Sequence, residues 1–169
     1  MRVARSLVIG SMFFLLFGCG KSRQLAALLP DAPDGWSAEG SATNKDVSGV
    51  GHSSARSYTP SNAALGVQRI TVQILLAEKG ADQKGIQALS IEREGQFKES
   101  KEIGGVPAYE SFPLPSENTH SVDLLPKSGT FVSVVAYKGG PGWENAENRK
   151  AAVSAFVNKL DLKKIAAVE

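Results

Sequence analysis

Two stretches of the chain carry hydrophobic patterns that predict β-strands. Side chains at positions 70, 72, 74 and 76 are apolar and alternate with Arg69, Thr71 and Gln73. This period of two predicts a half-buried strand. Residues 130–137, "TFVSVVAY", are apolar at both alternating sets of positions. We therefore expect this second strand to be covered on both faces and to lie centrally in its sheet.

Shorter strands and two helices complete the predicted secondary structure. The strands are expected around Glu102, at 106–112 and at 121–125. A helix is predicted over residues 81–96. A second helix follows "KGGPGWEN" (138–145), because apolar side chains at 152, 153, 156, 157 and 160 form one stripe. Residues 40–53, "GSATNKDVSGVGHS", are interpreted as a mobile loop.

Consecutive strands with hairpin-sized gaps and two helices predict an α+β fold, with a mostly antiparallel sheet covered by helices. The order of elements, together with "PDGW" (33–36), "GGVPAY" (104–109) and "KLDLKKI" (159–165), resembles the PsbP/Mog1-like α/β/α sandwich over residues 28–165. This resemblance implies helices on both faces of the sheet. It implies a shape and no active residues, because members of the family have unrelated binding and assembly roles.

The N-terminus has the pattern of an export signal. Arg2 and Arg5 precede an apolar run over residues 7–17, which is interrupted only by Gly10 and Ser11. A membrane-spanning helix needs about 20 apolar residues, so this run is too short to be a stable transmembrane anchor. A basic start, a short apolar core and a small residue at its end are typical of a secretory signal peptide.

Residues 16–19, "LFGC", end this run at the chain's single cysteine and resemble the lipobox of bacterial lipoproteins. The resemblance implies cleavage after Gly18, an S-diacylglyceryl group on Cys19 and acylation of its new amino group. Phe17 stands where the family usually has a small or aliphatic residue. Two or more acyl chains give stable membrane anchoring. The alternatives are an ordinary cleaved signal with a chance cysteine, or a buried free thiol.

The same resemblance implies a location in the cell envelope. Gly20, the residue after Cys19, is not the acidic residue that retains such lipoproteins at the inner membrane of Gram-negative bacteria. We therefore expect the periplasmic face of the outer membrane, or the outer face of the plasma membrane in a Gram-positive host. Cys19 is then the lipidation site, and its covalent lipid is the only attached group expected.

The charge balance of the chain argues against nucleic-acid binding, and its length is that of one domain. The chain has 19 basic and 17 acidic residues, and loss of Arg2 and Arg5 with the signal leaves 17 of each. A net charge of zero gives no general attraction to nucleic acid. We expect residues 1–18 to be removed, 19–27 to form a lipidated N-terminus with a short tether, and 28–169 to form one globular domain. Because the only thiol carries lipid, packing must stabilise the domain without disulfides.

The sequence contains no complete catalytic or metal-binding motif. The sequence G-x-S-x-G is absent, and "KSG" (127–129) resembles the KTG box of penicillin-binding enzymes without an S-x-x-K nucleophile. This tripeptide is therefore interpreted as a hairpin turn. His52 is expected to be a solvated loop residue. His120 and Asp123 lie three positions apart on a strand and should point to opposite faces, so no metal site and no cofactor is predicted.

Trp143 is the one candidate partner contact outside the anchor, because tryptophans in loops often serve as interface anchors. The alternative is that Trp143 folds back onto the sheet, and Trp36 is expected to be a core residue. The chain is thus expected to be a lipid-anchored accessory or protein-interaction domain without enzymatic activity, docking through a sheet edge or the Trp143 loop. The alternatives are a carrier of a small apolar ligand and, third, an envelope hydrolase.

Overall fold

A computed structural model describes residues 20–90, 97–111 and 118–169, without the side chains of 64 and 97–100. These ranges contain eight strands: β1 (Trp36–Ala38), β2 (Thr43–Val47), β3 (Gly51–Pro60), β4 (Val67–Ala77), β5 (Phe97–Ile103), β6 (Val106–Ser111), β7 (Thr119–Lys127) and β8 (Thr130–Lys138). Their helices are α1 (Lys21–Ala26), α2 (Gln83–Leu89), α3 (Ala146–Val157) and α4 (Leu162–Ala166). None of these helices is long and apolar enough to cross a membrane.

The described strands form one antiparallel sheet, in the order β1-β3-β4-β8-β7-β6-β5, and β2 pairs with β3 on the same edge as β1. The predicted α+β class and the mostly antiparallel sheet are confirmed. The central position predicted for residues 130–137 is also confirmed, because β8 lies between β4 and β7. The prediction that 127–129 form a hairpin turn is confirmed by the β7–β8 connection, where Gly129 has φ +79°.

One face of the sheet packs against α1, α3 and α4, and we call it the helix-covered face. Phe156 of α3 lies at its centre, with its ring 4.7 Å from the Tyr58 ring and 5.1 Å from the Trp36 ring, which it meets edge to face. The predicted stripe on this helix is confirmed at 152, 153, 156 and 157, which are all buried. α3 ends at Val157, so Leu160 lies beyond it.

The other face, which carries Thr71, Gln73 and Ser133 on neighbouring strands, is called the polar face. The prediction that β4 is half-buried is wrong, since Thr71 and Gln73 are only 7 % and 3 % exposed. Their polar groups are hydrogen-bonded: Gln73 Nε2 donates to the Leu89 carbonyl at 2.6 Å, and Thr71 Oγ1 lies 3.0 Å from Ser57 Oγ. Hydrogen bonds of this kind offset the free-energy cost of burying polar side chains.

Three predicted segments differ from the structure. Residues 40–53, predicted as a mobile loop, contain β2 and the start of β3. The helix predicted at 81–96 is α2, which ends at Leu89; residues 91–96 lie outside the described residues, as does position 112 of the strand predicted at 106–112. In the segment predicted as a tether at 19–27, residues Lys21–Ala26 form α1, and Leu25 is fully buried.

Trp143 is a core residue, which corrects its interpretation as a candidate partner contact. Its exposed fraction is 0 %, and it lies in a short 3-10 turn, Pro141–Glu144. The Gly66 carbonyl accepts a hydrogen bond from the Gly139 N–H at 2.8 Å and holds this connection beside the start of β4. The Arg149 guanidinium lies 5.4 Å from the centre of the indole. The glycine-rich connection therefore folds back onto the core, as the alternative interpretation expected.

Gly66→Ala is expected to lower the free energy of unfolding by about 3 kcal/mol or more, combining left-handed backbone strain with overpacking. Gly66 has φ +68°, and a Cβ at this position would lie 1.8 Å from the Trp143 nitrogen. Gly35 has φ +81° with nothing within 4 Å of its added Cβ. Gly35→Ala is thus a matched control for strain alone, about 1–2 kcal/mol. Urea denaturation measures both, and equal losses would contradict the packing explanation.

Candidate functional site

The polar face carries hydroxyl, amide and carboxylate side chains across five neighbouring strands. Its buried polar side chains are Ser53, Thr71, Gln73, Ser111, Thr119, Ser121, Asp123 and Ser133. Some of them form a row across neighbouring strands, in which Gln73 lies opposite Ser133 and Ser133 lies opposite Asp123. Ser111 and Ser121 pair at 2.8 Å between their hydroxyl oxygens. Hydrogen-bonding groups thus extend from the middle of the sheet toward β2.

Near the β2 edge this face opens into a cleft of about 370 Å³. Its lining residues are Glu39, Ser41, Thr43, Lys45, Ser53, Ala55, Arg56, Ser57, Thr71 and Gln73. Ala55 is the one apolar residue among them. Ser53, Thr71 and Gln73 are buried, whereas Glu39 and Lys45 are exposed. The volume is within the range of ligand pockets, and the lining offers hydrogen-bond donors and acceptors to a polar occupant.

The strand that borders the cleft has an open edge. All five residues of β2 are exposed, and within the described residues β2 pairs with β3 alone. The Glu39 N–H donates to the Ser57 carbonyl at 2.8 Å, so odd-numbered residues of β3 direct their backbone groups to this edge. Their partners in β2, Thr43 and Lys45, therefore point backbone groups inward. Asn44 points its backbone N–H and carbonyl outward, and Asp46 does the same.

A second polar cluster lies where α1 meets the β2–β3 turn. Ser22 donates to the Asp46 carboxylate twice, from its N–H at 3.3 Å and from its hydroxyl at 2.6 Å. His52 Nδ1 lies 2.7 Å from the same carboxylate, and its Nε2 lies 3.6 Å from Glu78. The hydrogen bonds from Ser22, ahead of those from His52, lower the pKa of Asp46. The expectation that His52 is a solvated loop residue is corrected, because it lies on β3 and contacts two acids.

This serine, histidine and aspartate set does not have the arrangement of a nucleophilic site. An activated serine donates its proton to a histidine, which the acid in turn orients. Here the Ser22 hydroxyl donates directly to Asp46, and His52 occupies another position on that carboxylate. The cluster therefore links the first helix to the hairpin, and nothing in its geometry activates Ser22.

A third cluster is buried on the helix-covered face. Glu110 Oε1 lies 3.1 Å from His120 Nε2, and Lys101 Nζ donates to the other carboxylate oxygen. Arg149 donates to the Trp143 carbonyl nearby. Burial, opposed by the charge of Glu110, lowers the pKa of His120 to about 4. His120 is 1 % exposed and Glu110 is 4 % exposed, so a substrate has no access to this pair.

The structure places the other sequence candidates apart from the cleft. His120 lies on the helix-covered face and Asp123 on the polar face, which confirms that they point in opposite directions. Within residues 20–90, 97–111 and 118–169, no group of three histidine, cysteine or acidic side chains could hold a metal ion. Cys19 lies outside the described residues.

Sequence reasoning missed the cleft because its residues look ordinary one segment at a time. Thr43 and Lys45 belong to "TNKDV", which has no apolar alternation and therefore resembles a loop. Thr71 and Gln73 lie on the polar side of the predicted half-buried strand, a pattern that predicts exposure to water. The available signal was this run of polar alternate positions beside a second, serine-rich segment at 53–57.

In comparisons of this chain with known protein families, curated proteins and solved structures, no match is found.

Protonation of His120 is expected to destabilise the fold in mild acid. Its pKa is about 4 in the folded chain and about 6.5 when unfolded, so the unfolded state binds this proton first as pH falls. Stability is full above pH 6.5, declines between pH 6.5 and 4, and loses on the order of 3 kcal/mol from this group.

Urea denaturation at several pH values measures this loss, and His120→Gln should remove most of it. His52→Gln, which changes the other of the two histidines, is the control and should keep the decline that belongs to His120. An unchanged pH dependence in His120→Gln would contradict the assignment.

Proposed function

We propose that this chain is a lipid-anchored cell-envelope lipoprotein whose domain has a non-enzymatic accessory role, binding an extended segment of an envelope protein along β2. The observation that carries the proposal is the open edge of β2 beside the polar cleft. The anchor is Cys19, exposed by cleavage after Gly18, and the location is the periplasmic face of the outer membrane in a Gram-negative host. The lipobox resemblance supports the anchor, and the geometry of β2 supports the mode of binding.

The backbone of β2 provides the affinity in this proposal. Asn44 and Asp46 direct N–H and carbonyl groups away from β3, and a segment added as a further strand would pair with them. Successive side chains of an added strand point to opposite faces. One set would therefore lie on the side of Thr43 and Lys45, at the mouth of the cleft.

The lining of the cleft selects polar side chains for that set. Buried Ser53, Thr71 and Gln73 present hydroxyl and amide groups, while Glu39 and Lys45 place one charge of each sign at the rim. A segment carrying polar and charged residues at alternate positions would meet hydrogen-bond partners along this lining, in addition to the bonds that Thr71 and Gln73 already make. Ala55 is the one apolar residue of this lining, so a small apolar ligand would lie mostly against polar residues, and the carrier hypothesis receives less support.

The non-enzymatic role is supported by the geometry of the two histidines. The Ser22 hydroxyl donates its proton to the Asp46 carboxylate, which His52 also contacts. The hydroxyl therefore makes no hydrogen bond to His52 that could activate Ser22. His120 is enclosed in the core with Glu110. Neither arrangement brings a nucleophile and a base together at an accessible surface, and the envelope hydrolase remains the least supported alternative.

The finer fold assignment, a PsbP/Mog1-like α/β/α sandwich with helices on both faces, belongs to this proposal as well. It is supported by α1, α3 and α4 on the helix-covered face and by the hydrogen bond that Gln73, on the polar face, donates to Leu89 at the end of α2.

Cys19→Ser is expected to abolish incorporation of labelled palmitate into the protein in its host. The thiol is the acceptor of the diacylglyceryl group in the lipoprotein family, and the chain has no second cysteine. Mass spectrometry of the N-terminal peptide of the wild type should show acylated Cys19 as the first residue. Normal palmitate incorporation into Cys19→Ser would refute the anchor.

Asn44→Pro is expected to abolish partner binding without unfolding the domain. Proline removes the outward N–H of residue 44, which an added strand needs, and leaves the β2–β3 hydrogen bonds in place. Asn44→Ala is the matched control, because both variants lose the hydrogen bond that the Ser54 hydroxyl donates to Asn44 at 2.8 Å. The measurement is photocrosslinking in intact cells from a probe at Lys45, followed by mass spectrometry.

We expect one dominant envelope protein that is crosslinked in Asn44→Ala and lost in Asn44→Pro. Equal crosslinking in the two variants would refute binding along the edge. A second pair tests the cleft: Ser41→Trp fills it from an exposed position, whereas Ser37→Trp adds the same side chain outside it. Only Ser41→Trp should reduce the crosslink.

A further inference from the structure

We infer that the domain rests on the lipid headgroup surface of its own membrane through one end of the sheet. This anchor end comprises the first turn of α1, the β2–β3 turn at 48–50 and residues 78–80 after β4. The inference deepens the proposed function and rests on it, because it requires the lipid on Cys19. Its content is an orientation: the sheet stands with this end at the membrane and the opposite end away from it.

The chain between the lipidated Cys19 and the first helix is short. α1 begins at Lys21, so Gly20 is the one residue between Cys19 and the first helix. Two residue steps span at most about 7 Å. The headgroup layer on each side of a bilayer is itself about 5–8 Å thick. A domain attached this closely has its first turn at the headgroups.

The helix α1 is fixed to the rest of the domain. Leu25 is fully buried in the core, and the Asp46 carboxylate accepts two hydrogen bonds from Ser22. Gly20 lies against the same carboxylate, since a Cβ built on it would be 2.8 Å from Asp46 Oδ2. Unwinding α1 to lengthen the attachment would expose Leu25 and break these bonds. The short attachment therefore constrains the orientation of the whole domain.

The anchor end combines an exposed apolar side chain with charged side chains. The Glu78 N–H donates to the Val50 carbonyl at 2.9 Å, which places the end of β4 beside the β2–β3 turn. Val47, one of two large hydrophobic residues exposed in the described part of the chain, is 44 % exposed next to this turn. The anchor end also carries the exposed cations Lys21, Arg23 and Lys79 and one exposed acid, Glu78. An exposed apolar side chain together with an excess of cations suits the boundary between acyl chains and phosphate groups.

The inferred orientation determines where a partner can bind. β2 runs from Val47, at the anchor end, to Thr43. Its five residues extend about 16 Å, so the open edge and the cleft lie within about 20 Å of the bilayer. The segment that binds there would belong to an envelope protein that exposes it close to the membrane surface.

The test measures quenching of a bimane fluorophore by lipids that carry a nitroxide on the headgroup. The acylated protein is reconstituted in vesicles of phosphatidylethanolamine and phosphatidylglycerol containing this lipid. Ser48→Cys places the fluorophore at the anchor end, and Ser61→Cys places it at the opposite end of β3; both positions are exposed. The ten residues of β3 separate the probes by about 30 Å.

We expect several-fold stronger quenching at position 48 than at position 61. Insertion of a ten-residue Gly/Ser linker after Gly20 should remove this difference, because the attachment then no longer fixes the orientation. Equal quenching at both positions in the protein without the linker would overturn the inference while acylated Cys19 in the N-terminal peptide upholds the anchor. Absence of acyl groups from that peptide would overturn both the anchor and the orientation.

Discussion

The central pair of strands, β4 and β8, is buried on both faces, and the rest of the structure depends on this constraint. On the helix-covered face, Val72 and Val134 lie opposite each other beneath the helices. On the polar face, Gln73 and Ser133 lie opposite each other with exposed fractions of 3 % and 7 %. Apolar packing accounts for this burial on the helix-covered face, whereas the polar face combines the buried apolar side chains Leu75 and Val135 with hydrogen-bonded polar ones.

The polar face explains why the cleft lies at the β2 edge. Toward the middle of the sheet its polar groups bond to each other or to backbone, as Ser111 does with Ser121 and Gln73 with Leu89. Among the residues that the structure describes, the sheet continues beyond β3 as the short strands β1 and β2, and the same kind of surface meets solvent. The cleft therefore lies at the edge where this polar surface meets solvent.

The sequence was informative where burial follows from local periodicity. β8 is apolar at both alternating sets of positions, and α3 carries an apolar stripe, so both could be predicted without tertiary information. Burial of Thr71 and Gln73 could not, because a polar side chain is buried only when distant groups satisfy it. Ser57 and Leu89 do so here, from two other segments of the chain.

The candidate site was harder to predict than the fold for a related reason. β2 exists because "TNKDV" pairs with β3, and no feature within that pentapeptide distinguishes it from a loop. Trp143 could be interpreted either way, since its position depends on a close approach to the Gly66 backbone. The single strong local signal, the sequence that ends at Cys19, concerns the proposed anchor and carries no information about the cleft.

The proposed anchor and the proposed partner-binding edge both involve Asp46. Its carboxylate holds Ser22, and with it the start of α1, while its backbone groups point outward from β2 toward an added strand. Under the proposed function, the residue that limits movement of the domain on its lipid is thus part of the surface that binds the partner. A long flexible tether would let β2 sample many heights above the bilayer. A fixed first helix restricts β2 to one height, which lowers the entropy cost of meeting a segment held at that height.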